Sequence, residues 1–215
     1  MNTAGSPNRP DATLDVQPRS HVSSALKEII AALGPDAEVA DVGCGGGAQL
    51  QALGARALGV DALPGNVSHC EEIGLRAVLG DLNGRLPLQD GHFDAVLLSH
   101  VLEHLHSPLD SLKECARVLK HGGLLIVGVP LEASISRAIL RDPYYSHEGH
   151  LYAFTPDGIR AIVTAAGYEQ GDVTFDIPLA RRTGSRALQR AGNRWLPESV
   201  LRRVCANMWC TARTP

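Results

Sequence analysis

The chain has 215 residues and a mass of 22.9 kDa, with 44% hydrophobic and 20% charged residues, a balance that suits one folded domain with a sizeable core. A formal charge of −3 and a pI near 6.3 give no general attraction for nucleic acid, and no apolar run approaches the ~20 residues that span a bilayer. Five scattered cysteines, Cys44, Cys70, Cys115, Cys205 and Cys210, an odd number without CxxC pairs, argue against a disulfide framework or zinc knuckle and for reduced thiols in the cytoplasm.

Residues 1–20 are polar, contain proline and lack the apolar stretch of a secretory signal, so a loose arm is expected there. Over 21–33, Val22, Ala25, Leu26, Ile29 and Ile30 recur at helical spacing, and Gly34-Pro35-Asp36 stops the helix. Val39-Ala40-Asp41-Val42 reads as a buried strand running into a glycine-rich turn, Gly43-Cys44-Gly45-Gly46-Gly47, with a helix over 48–53. Residues 55–61 and 75–81 are apolar runs that each end on an acid, Asp61 and Asp81, with a short helix over 64–73 between them. A fourth strand is expected over 93–99 and a helix over 100–106. An amphipathic helix over 108–120 then closes at His121-Gly122-Gly123, and a fifth strand covers 124–129.

The pattern breaks over 132–154. A helix over 134–141 precedes a polar, aromatic loop over 142–150, the kind of segment that forms lids and binding loops. Thr155-Pro156-Asp157 starts a further helix that runs to Ala166. Residues 168–179 and 206–211 are expected as final strands forming a paired edge. Apolar strands separated by helices predict an α/β fold, a parallel sheet covered on both faces. Ligands of such sheets sit beyond the strands' carboxyl ends, where Asp41, Gly43, Asp61, Asp81 and Ser99 gather. Glycines allow close approach to the backbone and the following helix offers free N–H groups, so a nucleotide-type cofactor site is expected. Cys44 serves there as a small side chain rather than a reactive thiol.

Gly43-Cys44-Gly45-Gly46-Gly47-Ala48 satisfies GxGxxA, and Asp61 stands where a dinucleotide site carries its ribose-binding acid. A nicotinamide dehydrogenase is therefore one reading. The longer pattern resembles the class I S-adenosylmethionine-dependent methyltransferases. Their first motif, (D/E)xGxGxG, matches Asp41-Val42-Gly43-Cys44-Gly45-Gly46-Gly47. Their second, a strand ending in an acid that holds both ribose hydroxyls, is similar to Gly59-Val60-Asp61, with Ala62 beside it. Their third, an acid near the adenine amino group before a Leu-Pro-rich loop, resembles Gly80-Asp81-Leu82 and Leu86-Pro87-Leu88. Residues 90–96 and 99–105 resemble the family's fourth strand and helix, and 118–123 its LKPGG turn, with His121 where proline is usual. The likeness runs from about 39 to 130, with a looser echo over 154–167.

The resemblance implies a Rossmann-like, doubly wound, seven-stranded and mostly parallel sheet with helices on both faces. It implies one domain over 21–215, with a cofactor half at 21–130, an acceptor loop at 131–155, and a basic helix and edge strands at 168–215. S-adenosylmethionine is the implied cofactor, and Asp41, Gly43, Cys44, Gly45, Gly47, Asp61, Ala62, Asp81, Leu82, Ser99 and His100 its implied site. A sulfonium carries one positive charge and no pyrophosphate, so it calls for acids more than for a phosphate cradle.

A hydroxyl acceptor needs a base, and His100, His104, His147 and His150 are the candidates among nine histidines. His100 and His104 are four apart, on one face of the expected helix; His147 and His150 lie in the expected loop over 142–150, with Tyr144 and Tyr145. A metal held by these histidines is not expected, because His-x-x-His is common. The expected activity is methyl transfer to a small molecule, at a hydroxyl of a sugar, glycan or secondary metabolite, in view of the polar loop and of only nine aromatic residues. Transfer to nitrogen, a nicotinamide oxidoreductase and a non-catalytic cofactor-binding module are the alternatives.

From Arg181 onward there are eight arginines and one acid, Glu198, whereas the rest of the chain holds 12 bases and 22 acids. Arg182, Arg186, Arg190 and Arg194 recur every four residues, with Leu188, Ala191 and Trp195 on another face. A solvated helix packed by its aliphatic side is the plainer account. Docking of an anionic partner, a phosphorylated or lipid-linked acceptor or a membrane surface, is the sharper one.

Overall fold

The computed structural model describes residues 22–131, 149–169 and 171–215. The expected arm at 1–20, the helix at 134–141, Tyr144, Tyr145 and His147 lie outside them. Helix α1 (Ser24–Ala32) precedes the alternation β1 (Val39–Val42), α2 (Ala48–Leu53), β2 (Ala57–Asp61), α3 (Pro64–Glu72) and β3 (Ala77–Leu79). Strand β4 (Phe93–Ser99), helix α4 (Pro108–Val118) and strand β5 (Leu119–Pro130) follow. The described remainder holds α5 (Pro156–Ala165), β6 (Asp172–Phe175), three helices α6 (Pro178–Thr183), α7 (Arg186–Trp195) and α8 (Glu198–Val204), and β7 (Asn207–Arg213).

The seven strands form one sheet in the order β3-β2-β1-β4-β5-β7-β6. Strands β1 to β5 are mutually parallel, and β7 runs antiparallel to both β5 and β6. The doubly wound, mostly parallel α/β fold is thus the observed one. Successive residues of β4 point to opposite faces. Val96 and Leu98 join Leu112, Val127 and Ile159 under α4 and α5, while Ala95 and Leu97 join Leu26, Leu50 and Trp209 under α1 and α2. Strand order reverses between β2-β1 and β4-β5, which places the switch point beside the end of β1.

Four expectations are corrected. The segment 100–106 is not an α-helix. His100 adopts φ 57° and its N–H donates to Gly128 O at 2.9 Å, so the chain turns away and forms only a 3-10 turn, Leu102–His104. Helix α4 stops at Val118 rather than Lys120, because Leu119 already pairs with Phe93 in the sheet. The run 168–179 is not one strand: β6 covers only Asp172–Phe175, and Pro178 sits in the first turn of α6. The arginine stripe is broken as well. Gly184 (φ 67°) ends α6 and Ser185 caps α7, which separates Arg182 from Arg186, Arg190 and Arg194.

Two details fix the edge of the domain. Gly128 pairs with Trp209 across β5 and β7, and a Cβ at Gly128 would stand 2.5 Å from the indole ring. Trp209 Nε1 donates to Asp176 Oδ2 at 3.1 Å, while Asp176 Oδ1 accepts from Ala25 N, in the first turn of α1, at 3.2 Å. Helix α7 packs by its polar side. Gln189 accepts from Ile177 N and donates to Phe175 O, and Asn193 accepts from Phe175 N and donates to the same carbonyl. Its aliphatic side is therefore not the packed one.

Candidate functional site

The site begins where β1 ends. Gly43 N and Cys44 N donate to Val60 O at 2.7 and 3.1 Å, so the turn leans toward β2 instead of continuing the strand. Gly43 and Gly45 both have positive φ, 81° and 52°, where a Cβ is strained. Their surroundings differ. A Cβ at Gly43 would strike Val101 Cγ2, whereas none of the described residues lies within 4 Å of one at Gly45. Gly43 is there for packing, and Gly45 opens onto free space that a ligand can enter. Gly47 caps the six-residue α2.

Two buried carboxylates lie beneath this turn, in opposite states. Asp61, 6% exposed, is well supplied: Oδ2 accepts from Gly45 N at 2.8 Å, and Oδ1 from Leu63 N at 2.9 Å and Asn66 Nδ2 at 3.0 Å. Asp41, 1% exposed, has no hydrogen-bond partner on either oxygen among the described residues. Burial, and then the neighbouring charge of Asp61, push its carboxyl up to about 7. Burial and the same two acids also push the Cys44 thiol far above its ordinary range, which makes it a poor nucleophile. All five cysteines are free and buried.

The remaining candidates line the same strand ends. Ser99 Oγ accepts from Gln49 Nε2 at 3.4 Å, bridging β4 and α2. Ala62 is exposed beside Asp61. Asp81 is exposed and accepts from Asn83 N at 2.9 Å, closing a turn, while Leu82 is half-buried with its carbonyl taking Ser111 Oγ at 3.3 Å.

Beyond Ser99 the chain builds a second cluster, joined to the first through Val101 against Gly43. Glu103 is fully buried, no donor among the described residues makes a well-formed hydrogen bond to its carboxylate, and His100 Nδ1 stands 3.5 Å from Oε1. Burial raises this carboxyl, but His100, the backbone N–H of Glu103 and His104 outweigh it and hold it below the usual carboxylate range. His104 Nδ1 lies 2.9 Å from Gly149 O. A carbonyl only accepts, so in the neutral ring Nδ1 carries the proton and Nε2 keeps its lone pair. The His150 ring centroid is 4.7 Å from that of His104, and Glu103, His104 and His150 each offer one ligand atom within 4.8 Å of the others. Leu151 N donates to Glu103 O at 2.8 Å and Tyr152 OH to His106 O at 2.9 Å, so Leu151 and Tyr152 lie on this turn.

The structure thus brings His100, His104 and His150 around Glu103; His147 is outside the described residues. Sequence reasoning gave no role to Glu103, Gln49 or Asn66. Glu103 could not be singled out, because an acid in an expected helix ordinarily faces water. Asn66 reaches Asp61 only because α3 begins directly after β2.

This sheet order, with a glycine turn over buried acids at the switch point, defines a Rossmann-like nucleotide-binding fold of the methyltransferase kind. Residues 40–127 match the family model described as a methyltransferase domain, over the same stretch that carries the resemblance to the class I S-adenosylmethionine-dependent methyltransferases. It is 38% identical over 94 residues to a ubiquinone biosynthesis O-methyltransferase of Cereibacter sphaeroides, 40% of this chain and 38% of that protein. A ubiquinone biosynthesis O-methyltransferase of Dinoroseobacter shibae is 30% identical over 151 residues, 62% of this chain and 60% of that one. The matches therefore span less than two thirds of these relatives' length. A solved S-adenosylmethionine-dependent methyltransferase from Archaeoglobus fulgidus has the same fold, with a TM-score of 0.65 and 22% identity over 89% of this chain and 92% of that one.

Proposed function

We propose that this protein transfers a methyl group from S-adenosylmethionine to a hydroxyl oxygen of a small molecule. The observation that carries this reading is the unpartnered carboxylate of Asp41 beneath the open turn at Gly45. A buried acid without a donor favours a cationic ligand, and the pyrophosphate of a dinucleotide would add like charge to Asp41 and Asp61. Transfer to oxygen rests on the names of the Cereibacter and Dinoroseobacter relatives.

When bound, the sulfonium supplies an activated methyl carbon, so this chain has only to bind, orient and take up one proton. Asp61 would hold the ribose hydroxyls, Asp81 and the backbone of Ala62 and Leu82 the adenine side, and the main chain at Ser99 and His100 the methionine portion. Gly43, Cys44 and Gly47 shape the turn. His104, its Nδ1–H held by Gly149 O, would receive the acceptor's proton on Nε2. Residues 131–155 would form the acceptor side, with His147 and His150 facing the acceptor.

Calorimetric titration of the wild type and Asp61→Ala with S-adenosylmethionine, and separately with NAD, tests the reading. Micromolar binding of the first, lost in the variant and absent for NAD, is expected. Binding of NAD alone would overturn it.

A further inference from the structure

We propose that helix α7, with the helices on either side of it, docks the domain on an anionic lipid surface. The helix is amphipathic in the reverse sense for a globular domain. Its packed side is Gln189, 2% exposed, and Asn193, which together take up the backbone groups around Phe175. Leu188, Ala191 and Trp195, at the spacing of one helical face, point away from the core. Trp195 is 76% exposed and Leu188 38%, and Leu196 at 43% continues the strip. Burial in the domain would normally claim those side chains, because removing apolar surface from water is favourable.

Charge decides what covers them. Arg186, Arg190 and Arg194 run along one flank of the strip, all exposed. Arg190 pairs with Glu28 of α1 at 3.0 Å, and the Arg194 guanidinium stands 5.5 Å from the Trp195 ring. Residues 178–204 contain seven arginines and one acid, Glu198, and Glu198 is already matched by Arg160 at 2.7 Å. A second copy of this chain would bring arginines against arginines. An apolar strip with a protruding tryptophan and a basic border is instead the pattern that settles at the boundary of headgroups and acyl chains. Its placement fits an acceptor delivered from a lipid layer. Phe175 and Met208, where the three helices leave and rejoin the sheet, are register partners, and Asn207 pairs with Pro130, at the carboxyl-end rim that carries the glycine turn.

The test is flotation of the full chain with phosphatidylcholine vesicles and with phosphatidylcholine/phosphatidylglycerol vesicles, with tryptophan emission recorded in parallel. Trp209 is 2% exposed, so an emission change reports Trp195. We expect flotation with the anionic vesicles only, a blue shift that Trp195→Ala abolishes, and weakening by salt. Arg186→Glu/Arg194→Glu should lower partitioning about a hundredfold, with thermal melting unchanged to show an intact fold. Several outcomes overturn the proposal: no flotation, equal flotation with neutral vesicles, or wild-type partitioning of the charge-reversed variant. Binding to polyglutamate without vesicle binding would assign the face to an acidic protein, and Trp195-dependent dimerisation without vesicle binding to a second copy. Cofactor titration is independent of this face, so failure of either reading leaves the other standing.

Discussion

The backbone N–H of Gly45 donates to Asp61 Oδ2 at 2.8 Å, tying the turn after β1 to the acid that ends β2. Under the proposed function Asp61 is therefore both a ligand group and the anchor of the loop that would accept the ligand. We expect Asp61→Ala to weaken S-adenosylmethionine about a hundredfold, the equivalent of roughly 2–3 kcal/mol for a lost charged acceptor. It should also lower the melting temperature of the free protein, because Gly45 N, Leu63 N and Asn66 Nδ2 lose their common acceptor. Calorimetry and thermal melts read the two effects separately; an unchanged melt would show the anchor to be dispensable.

Asp41 gives the site a pH dependence. A cationic ligand favours the ionised carboxylate, so affinity should fall as pH drops through about 7 and level off above it. The same shift acts on stability with opposite sense. The folded protein holds this proton more tightly than the unfolded chain does. The stabilisation is complete below the ordinary carboxylate range and is lost as pH rises through about 7. Asp41→Asn should make the free protein more stable than wild type above neutrality while weakening the cofactor. Titrations across a pH series check this, and a flat wild-type affinity would count against it.

His104 has its proton fixed by Gly149 O, so its removal should act on the chemical step. With an acceptor in hand, His104→Ala is expected to reduce kcat between about a hundredfold and ten-thousandfold, with much less change in KM. Cofactor affinity should stay near wild type. A rise in KM with kcat intact would reassign His104 to acceptor binding.

Gly128→Ala tests the packing of the outer strands. The added methyl meets the Trp209 ring, and overpacking of this kind costs about 1–3 kcal/mol. Denaturant unfolding should show that loss, with Trp209 emission altered in the folded state.

Much of this is legible in the chain itself. The bounds of β4 match the expected 93–99, because FDAVLLS is apolar on both faces, and the glycine turn announces the site. What sequence does not supply comes from single long-range contacts. The bond from His100 N to Gly128 O turns an apparent helix into one 3-10 turn and buries Glu103. Nor does the four-residue arginine spacing reveal that Gln189 and Asn193, rather than Leu188 and Trp195, face the core, since that depends on the unpaired backbone of a strand end. Local pattern reports which residues share a face, not which face the rest of the fold needs.

Strand β7 is later in sequence than both strands it joins, and it lies between them. During synthesis β5 must therefore wait with one edge open, and β6 has no neighbour at all, until residues 207–213 emerge and slip into the gap. The last strand acts as the closing step of assembly. A chain stalled or cut before it would keep its glycine turn and its acids, yet expose two sheet edges that invite pairing with other chains.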